Sequence, residues 1–281
     1  MKPRPATGRK ITDWTVKGIS LLASLTGIFF LGWILLEVTR RGIAAINWQF
    51  FTELPAPPGV EGGGLSSAIF GTLLITALAT VIGVPVGIAA GVYLAEIGRE
   101  TRLASAVRFT INVMMGIPSI IVGLFVYTIM VLPAGHFSGW AGAISLAFIM
   151  LPVVARTTDD MLTLVPNSLR ESALALGSPR WRVTLQVVFR SAKAGMITGV
   201  LLAVARVSGE TAPLLFTALN SVYWPRSLSE PTSNLTVTIF NYAMSPYPDW
   251  QQAAWGASLL IMAAVLGVTI LARSLFKEKR K

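Results

Sequence analysis

Arg206 and Glu210 stand four residues apart inside an otherwise apolar stretch running from residue 194 to about 219. On a helix that spacing puts both side chains on one face. In a membrane span both fall near mid-bilayer, where a charge costs about 2.5–3.5 kcal/mol on insertion scales. Such groups persist when they pair with one another or line a polar path. A guanidinium is a planar fork of N–H donors suited to a carboxylate or to the oxygens of an oxyanion. Two compatible uses follow: an ion pair knitting helices together, and a waypoint for a passing anion. In the second, Glu210 holds Arg206 until an anion competes for it, which keeps binding weak enough for release.

Other chemistries have little to work with. The 281-residue chain has no cysteine and a single histidine, His136, so disulfides, thiolate sites and histidine clusters are excluded. A Ser/His/Asp arrangement has only that loop histidine to draw on. No G-x-x-x-x-G-K-[ST] run occurs, so the chain carries no P-loop for ATP. The expectation is no catalytic residue, no metal and no cofactor.

The elements that must position the pair are membrane helices. Hydrophobic residues make up 53% of the chain and charged ones 13%, against a usual charged share of about 25%. The net charge of +10 lies between the apolar runs, which argues for membrane lipid as the surroundings and against nucleic acid. A crossing takes about 20 apolar residues. Six runs qualify: 18–36, 65–95, 110–132, 139–155, 194–219 and 250–272. The third and fourth are separated at Pro133-Ala134-Gly135-His136. The fold class expected is an all-α membrane protein of about six spans.

Lysine and arginine accumulate on the cytoplasmic side of membranes. Here 19 of the 23 lie at the two ends and in the loops after the second and fourth spans, while Arg40, Arg41 and Arg226 lie opposite. Both termini are therefore expected in the cytoplasm. The division expected is a cytoplasmic segment 1–17, a first helix 18–37, an external loop 38–64, a core 65–272 and a basic tail 273–281. The first helix reads as an anchor, because its apolar run is longer than the ~7–15 residues of a signal peptide. Residues 38–64 are rich in proline and glycine, and residues 220–249 are long and polar. Both read as loops, the functional alternative being a dock for an external partner.

The loop 156–193 holds the most charged internal segment. Ser168-Leu169-Arg170-Glu171 fits a capping box that opens a short helix. Gly177 suits the left-handed position after its end. Ser178 then caps a second helix with Pro179 in its first turn, and Trp181, Leu185 and Val188 share a face. On pattern alone this is an amphipathic hairpin at the membrane surface.

Glu171-Ser172-Ala173-Leu174-Ala175-Leu176-Gly177 resembles the E-A-A-x-x-x-G loop of ABC importer permeases, with Glu171, Ala173 and Gly177 matching and Ser172 replacing an alanine. The resemblance implies a type I importer permease whose coupling helix docks on an ATPase subunit. The leucine-proline often found farther along is Phe189-Arg190 here. Further stretches, at 57–73, 116–125, 151–162, 206–218 and 245–259, resemble the A-type permeases of bacterial high-affinity phosphate (Pst) importers. RVSGETAPLLFTA at 206–218 points most to phosphate. The resemblance implies the bacterial inner membrane, a second C-type permease subunit, an ATPase dimer, an external phosphate-binding protein, and inorganic phosphate as substrate. It also implies transport roles for Arg206 and Glu210, with Pro118 and Gly209 as bending points. The rival readings are a permease for sulfate or molybdate, a self-sufficient channel or secondary transporter, and a signalling scaffold.

Overall fold

The computed structural model describes residues 6–60 and 62–275. Lys2 and Arg4, and Lys277, Lys279, Arg280 and Lys281, on which part of the orientation rests, lie outside the described residues. All regular secondary structure among the described residues is helical, with no strand. In chain order the helices are α1 (Ala6–Ala45), α2 (Trp48–Thr52), α3 (Ser66–Val92), α4 (Arg102–Gly116), α5 (Ser119–Val126), α6 (Leu132–Ala134) and α7 (Gly139–Thr163). They continue with α8 (Asn167–Ala175), α9 (Arg180–Arg182), α10 (Phe189–Ser208), α11 (Ala212–Thr217), α12 (Leu235–Ala243) and α13 (Pro248–Leu275). π-helical turns at Tyr93–Ile97, Tyr127–Val131 and Val183–Val188 extend α3, join α5 to α6, and join α9 to α10.

Five helices are long and apolar enough to cross a membrane. The remaining apolar segment is a bent pair, Arg102–Gly116 with Ser119–Ala134, turned by 103°, which gives five spans, or six where the pair crosses as one. The expected straight helix over 110–132 is therefore corrected. Ile117 is extended (φ −74°, ψ 129°), as a residue before proline tends to be, and Pro118 follows at φ −56°, ψ 134°. The fourth span also runs on past 155, to Thr163.

The centre is the α3–α7 pair. Gly83, Gly87 and Gly91 recur every four residues on the buried face of α3. A Cβ at Gly87 would stand 2.8 Å from Val154 Cβ, and one at Gly91 2.5 Å from Thr158 Cβ. Small residues at this spacing let membrane helices pack at backbone distance. Around them Ile75, Leu146, Met150, Val154, Val207, Leu214 and Val237 form the largest buried apolar cluster.

Residues 220–249 are not simply an external loop. Their middle part forms α12, whose Leu235 and Tyr242 are buried with Phe50, Leu65, Ala254 and Ala257. Asn234 caps it, accepting from Val237 N at 2.9 Å and donating through Nδ2 to Leu219 O at 3.1 Å. Thr72 Oγ1 accepts from Leu235 N at 2.8 Å. Because these groups satisfy the helix start, a polar segment can sit inside the packed body. By contrast, every residue from Thr12 to Ile34 on α1 is exposed. Only its C-terminal end packs on α13, where Gly42 abuts Leu259 and Arg41 lies over the Trp255 ring at 5.0 Å.

Candidate functional site

Arg206 occupies the last turn of α10, which stops at Ser208. The chain turns at Gly209 (φ −98°, ψ 2°), and α11 starts at Ala212 with Pro213 in its first turn. The expected continuous helix through residue 219 is corrected here. Pro213 therefore removes no hydrogen bond from a helix interior; it stands where its missing N–H is harmless. It packs on Gly123 of α5, where a Cβ would lie 2.6 Å from Pro213 Cα.

Two chain breaks thus face one another, Ile117–Pro118 between α4 and α5 and residues 209–211 between α10 and α11. Between them lies a cavity of about 460 Å³ lined by Met114, Ile117, Pro118, Phe125, Arg206 and Glu210 among others. The pair found in sequence is brought to one cavity, but no ion pair joins it among the described residues. Glu210 lies beyond the helix end, so the i, i+4 geometry that would align the two is lost. Its main-chain carbonyl accepts from Thr236 Oγ1 at 2.9 Å, which ties the break to α12. Arg206 is exposed and Glu210 half-buried. Among the described residues, no protein group accepts from the guanidinium's fork of donors. The N-terminus of α5, at the cavity edge, carries no side-chain cap.

The second predicted group lies on α8. This helix starts directly after Pro166 with no side-chain cap, and α9 starts after Pro179. The caps expected at Ser168 and Ser178 are corrected: in each case the preceding proline's carbonyl opens the turn, accepting from Leu169 N at 3.2 Å and from Arg182 N at 2.9 Å. Gly177 is as expected, at φ 80°. Gly177 N donates to Leu174 O at 2.9 Å and Ser178 N to Ala173 O at 3.3 Å, the paired bonds of a Schellman ending. Glu171 is exposed, while Ala173 packs at the margin of the Leu162, Val165 and Val183 cluster. A Cβ at Gly177 would meet nothing within 4 Å, so its requirement is conformational alone. Gly177→Val should leave the protein inserted but loosen this helix ending, since a β-branched residue is a true outlier at positive φ. Limited proteolysis should cut the segment around Gly177 faster in that variant, and an unchanged cleavage rate contradicts the turn's importance.

Sequence reading missed two arginine clusters that join distant helices. Arg108 Nε donates to Asp159 Oδ2 at 2.8 Å and Nη2 to Oδ1 at 3.1 Å. Arg170 Nη2 donates to Glu96 Oε1 at 2.6 Å. One signal was available: of the neighbouring Asp159 and Asp160, Asp160 pairs with Arg156 one turn away, which leaves Asp159 on another face in need of a distant cation.

A bundle of broken membrane helices around a cavity, with a surface helix at its charged end, is the architecture of a transport permease. Residues 83–281 match the family described as "Binding-protein-dependent transport system inner membrane component". The fold resembles a bacterial ABC transporter involved in alginate import, with TM-score 0.68 and 14% identity over 99% of this chain and 100% of that one. It also resembles the MetNI methionine ABC transporter in an inward-facing form, with TM-score 0.60 and 18% identity over 76% and 93%.

Relatives narrow the class. The chain is 50% identical over 262 residues to the phosphate transport system permease protein PstA of Yersinia pestis, covering 93% of this chain and 89% of the relative. It is 47% identical to PstA of Haemophilus influenzae over 272 residues, 97% and 96% of the two chains. To the probable PstA of Methanocaldococcus jannaschii it is 37% identical over 279 residues. The chain belongs to the PstA family of binding-protein-dependent inner-membrane permeases.

Proposed function

We propose that the chain forms, with a second C-type permease subunit, a translocation path for inorganic phosphate that passes Arg206. The observation that carries this is a guanidinium without a partner among the described residues, in a cavity between two helix breaks, in a chain whose relatives are named phosphate permeases. Broken helices beside a site are how membrane carriers offer polar groups to an ion. Phosphate is anionic at neutral pH, and the fork of Arg206 suits its oxygens. The uncapped start of α5 adds the positive end of a helix. Glu210 shares the cavity and repels a bound anion, so the site holds phosphate only transiently. A purely structural role for Arg206 and Glu210 is the competing reading, and the absence of an ion pair between them argues against it.

Energy comes from a separate ATPase dimer and cargo from an external phosphate-binding protein. On this reading α8 is the coupling helix, with Glu171, Ala173 and Gly177 shaping the contact. Leu169, Leu174, Leu176 and Trp181 are exposed around it, and an exposed apolar cluster on a surface helix suits a protein partner. The core at 65–272 overlaps the matched region 83–281. Both termini face the cytoplasm by the distribution of basic residues.

Reconstitution of the chain with its second permease, ATPase and binding protein tests the function. ATP-dependent uptake should follow phosphate and resist competition by sulfate or molybdate. Uptake by this chain alone, without ATPase, would instead make it a self-sufficient channel. The absence of native cysteine makes orientation equally accessible. His136→Cys, at an exposed loop position, should react with an impermeant thiol reagent from outside. Leu176→Cys, at an 87% exposed position, should react only after the membrane is opened. The reverse pattern contradicts the orientation.

A further inference from the structure

We infer that Arg170 and Arg108 are positioning residues that tie the coupling helix to the helix break at the Arg206 cavity. The inference rests on the proposed coupling role of α8. Arg170 stands on α8 next to Glu171, yet its side chain is only 12% exposed, because it turns back into the protein. Its Nη2 donates to Glu96 Oε1 at 2.6 Å and to Leu162 O at 2.7 Å, and its Nη1 donates to Val165 O. Glu96, 10% exposed, belongs to the π-helical turn that ends α3. Leu162 lies in the last turn of α7 and Val165 just beyond its end, where the helix C-terminus favours a cation. One guanidinium thus pins α8 to the ends of both central helices.

The second cluster begins where the first ends. Arg108, on α4, grips Asp159 of α7 through two nitrogens, and its Nη2 also donates to Leu94 O at 2.7 Å. Leu94 lies two residues from Glu96 in the same π-helical turn, so that turn is held from one side by Arg170 and from the other by Arg108. The carboxylate of Asp159 is 6% exposed. From Arg108, α4 runs without interruption to Gly116 and the Ile117–Pro118 break lining the cavity. A shift of α8 on its ATPase is therefore carried through Arg170 and Glu96, across the π-helical turn, to Arg108 and along α4.

Fixed geometry matters here more than charge alone. Arg170 satisfies one carboxylate and two carbonyls that lie in different directions, and an ammonium group on a flexible stem lacks that planar fork. A buried pair such as Arg170–Glu96 adds little net stability compared with apolar replacements but penalises loss of one partner. They suit a linkage that must move as one piece.

The complete importer in proteoliposomes provides the test, with phosphate uptake and ATP hydrolysis measured in the same vesicles. In Glu96→Gln and Asp159→Asn the complex should assemble and hydrolyse ATP, while uptake per ATP falls about tenfold, the scale on which residues linking two sites alter their coupling. The exchange Glu96→Arg with Arg170→Glu should recover part of that ratio. Arg170→Lys should assemble and still show the loss. An unchanged ratio in Glu96→Gln and Arg170→Lys at matched abundance overturns the linkage, and so does an exchange variant no better than either single change. If a neutral variant does not assemble, Arg170→Lys decides alone. Leu174→Cys, cross-linked to the ATPase in the intact complex, separates the two levels: no cross-link removes the coupling role of α8 itself. A cross-link with an unchanged ratio removes only the linkage.

Discussion

Arg206→Ala should reduce phosphate uptake by about thirtyfold while the complex still assembles, because hydrogen bonds to a charged group contribute about 1.5–3 kcal/mol and about 2 kcal/mol is a factor of about thirty. Assembly is expected to survive because Arg206 holds no ion pair among the described residues, so its removal leaves none of their carboxylates stranded opposite it. Arg206→Lys should recover only part of the rate, since an ammonium keeps the charge but loses the fork. Equal uptake by wild type and Arg206→Ala, at matched membrane abundance, would place the phosphate path elsewhere.

The second large effect concerns the frame. Gly87→Leu should prevent the chain from accumulating in the membrane. Its first added atom would lie 2.8 Å from Val154 Cβ and 3.0 Å from Leu151 O, a backbone atom that cannot swing aside. Overpacking a close interface costs about 1–3 kcal/mol or more, and about 3 kcal/mol is more than a hundredfold in the folded population. Gly267→Leu is the matched control, since nothing lies within 4 Å of a Cβ there. Membrane abundance and thermal stability of the detergent-extracted complex should separate the two variants. Comparable stability of both contradicts the close-packed α3–α7 interface.

These two sites differ in how far the sequence revealed them. Arg206 and Glu210 stood out because a charge in an apolar run has few reasons to persist. Their shared face did not survive, because apolar composition continues through residue 219 while the helix stops at Ser208. Hydropathy registers burial in lipid and is blind to a chain that turns within it. Gly209 and Pro118 were the local clues to both breaks, and each lies where the chain changes direction. Gly177 was legible in full, since a left-handed helix ending has a strong residue preference. The caps at Ser168 and Ser178 misled because a proline stood just ahead of each helix and opened the turn first.

Helix α12 was hidden for another reason. Asn234, Thr236 and Thr238 make residues 220–249 look solvated, yet all three are buried and hydrogen-bonded, Asn234 to Leu219 O, Thr236 to Glu210 O and Thr238 within the segment to Asn234 O. Only tertiary contacts to Thr72, Leu219 and Glu210 make that segment stable inside the body. The Arg170–Glu96 pair spans 74 positions in sequence, and no local pattern announces such a contact.

The central claim is that phosphate crosses the membrane past Arg206, and the double replacement Arg206→Leu with Glu210→Leu tests it most directly. Removing both charges leaves the cavity apolar and strands neither group, so a structural role predicts a stable and active complex. The measurement is ATP-dependent phosphate uptake by the reconstituted importer, with assembly and ATP hydrolysis followed in parallel. The transport role predicts an assembled complex that hydrolyses ATP and takes up no phosphate above background. Uptake near the wild-type rate would contradict it.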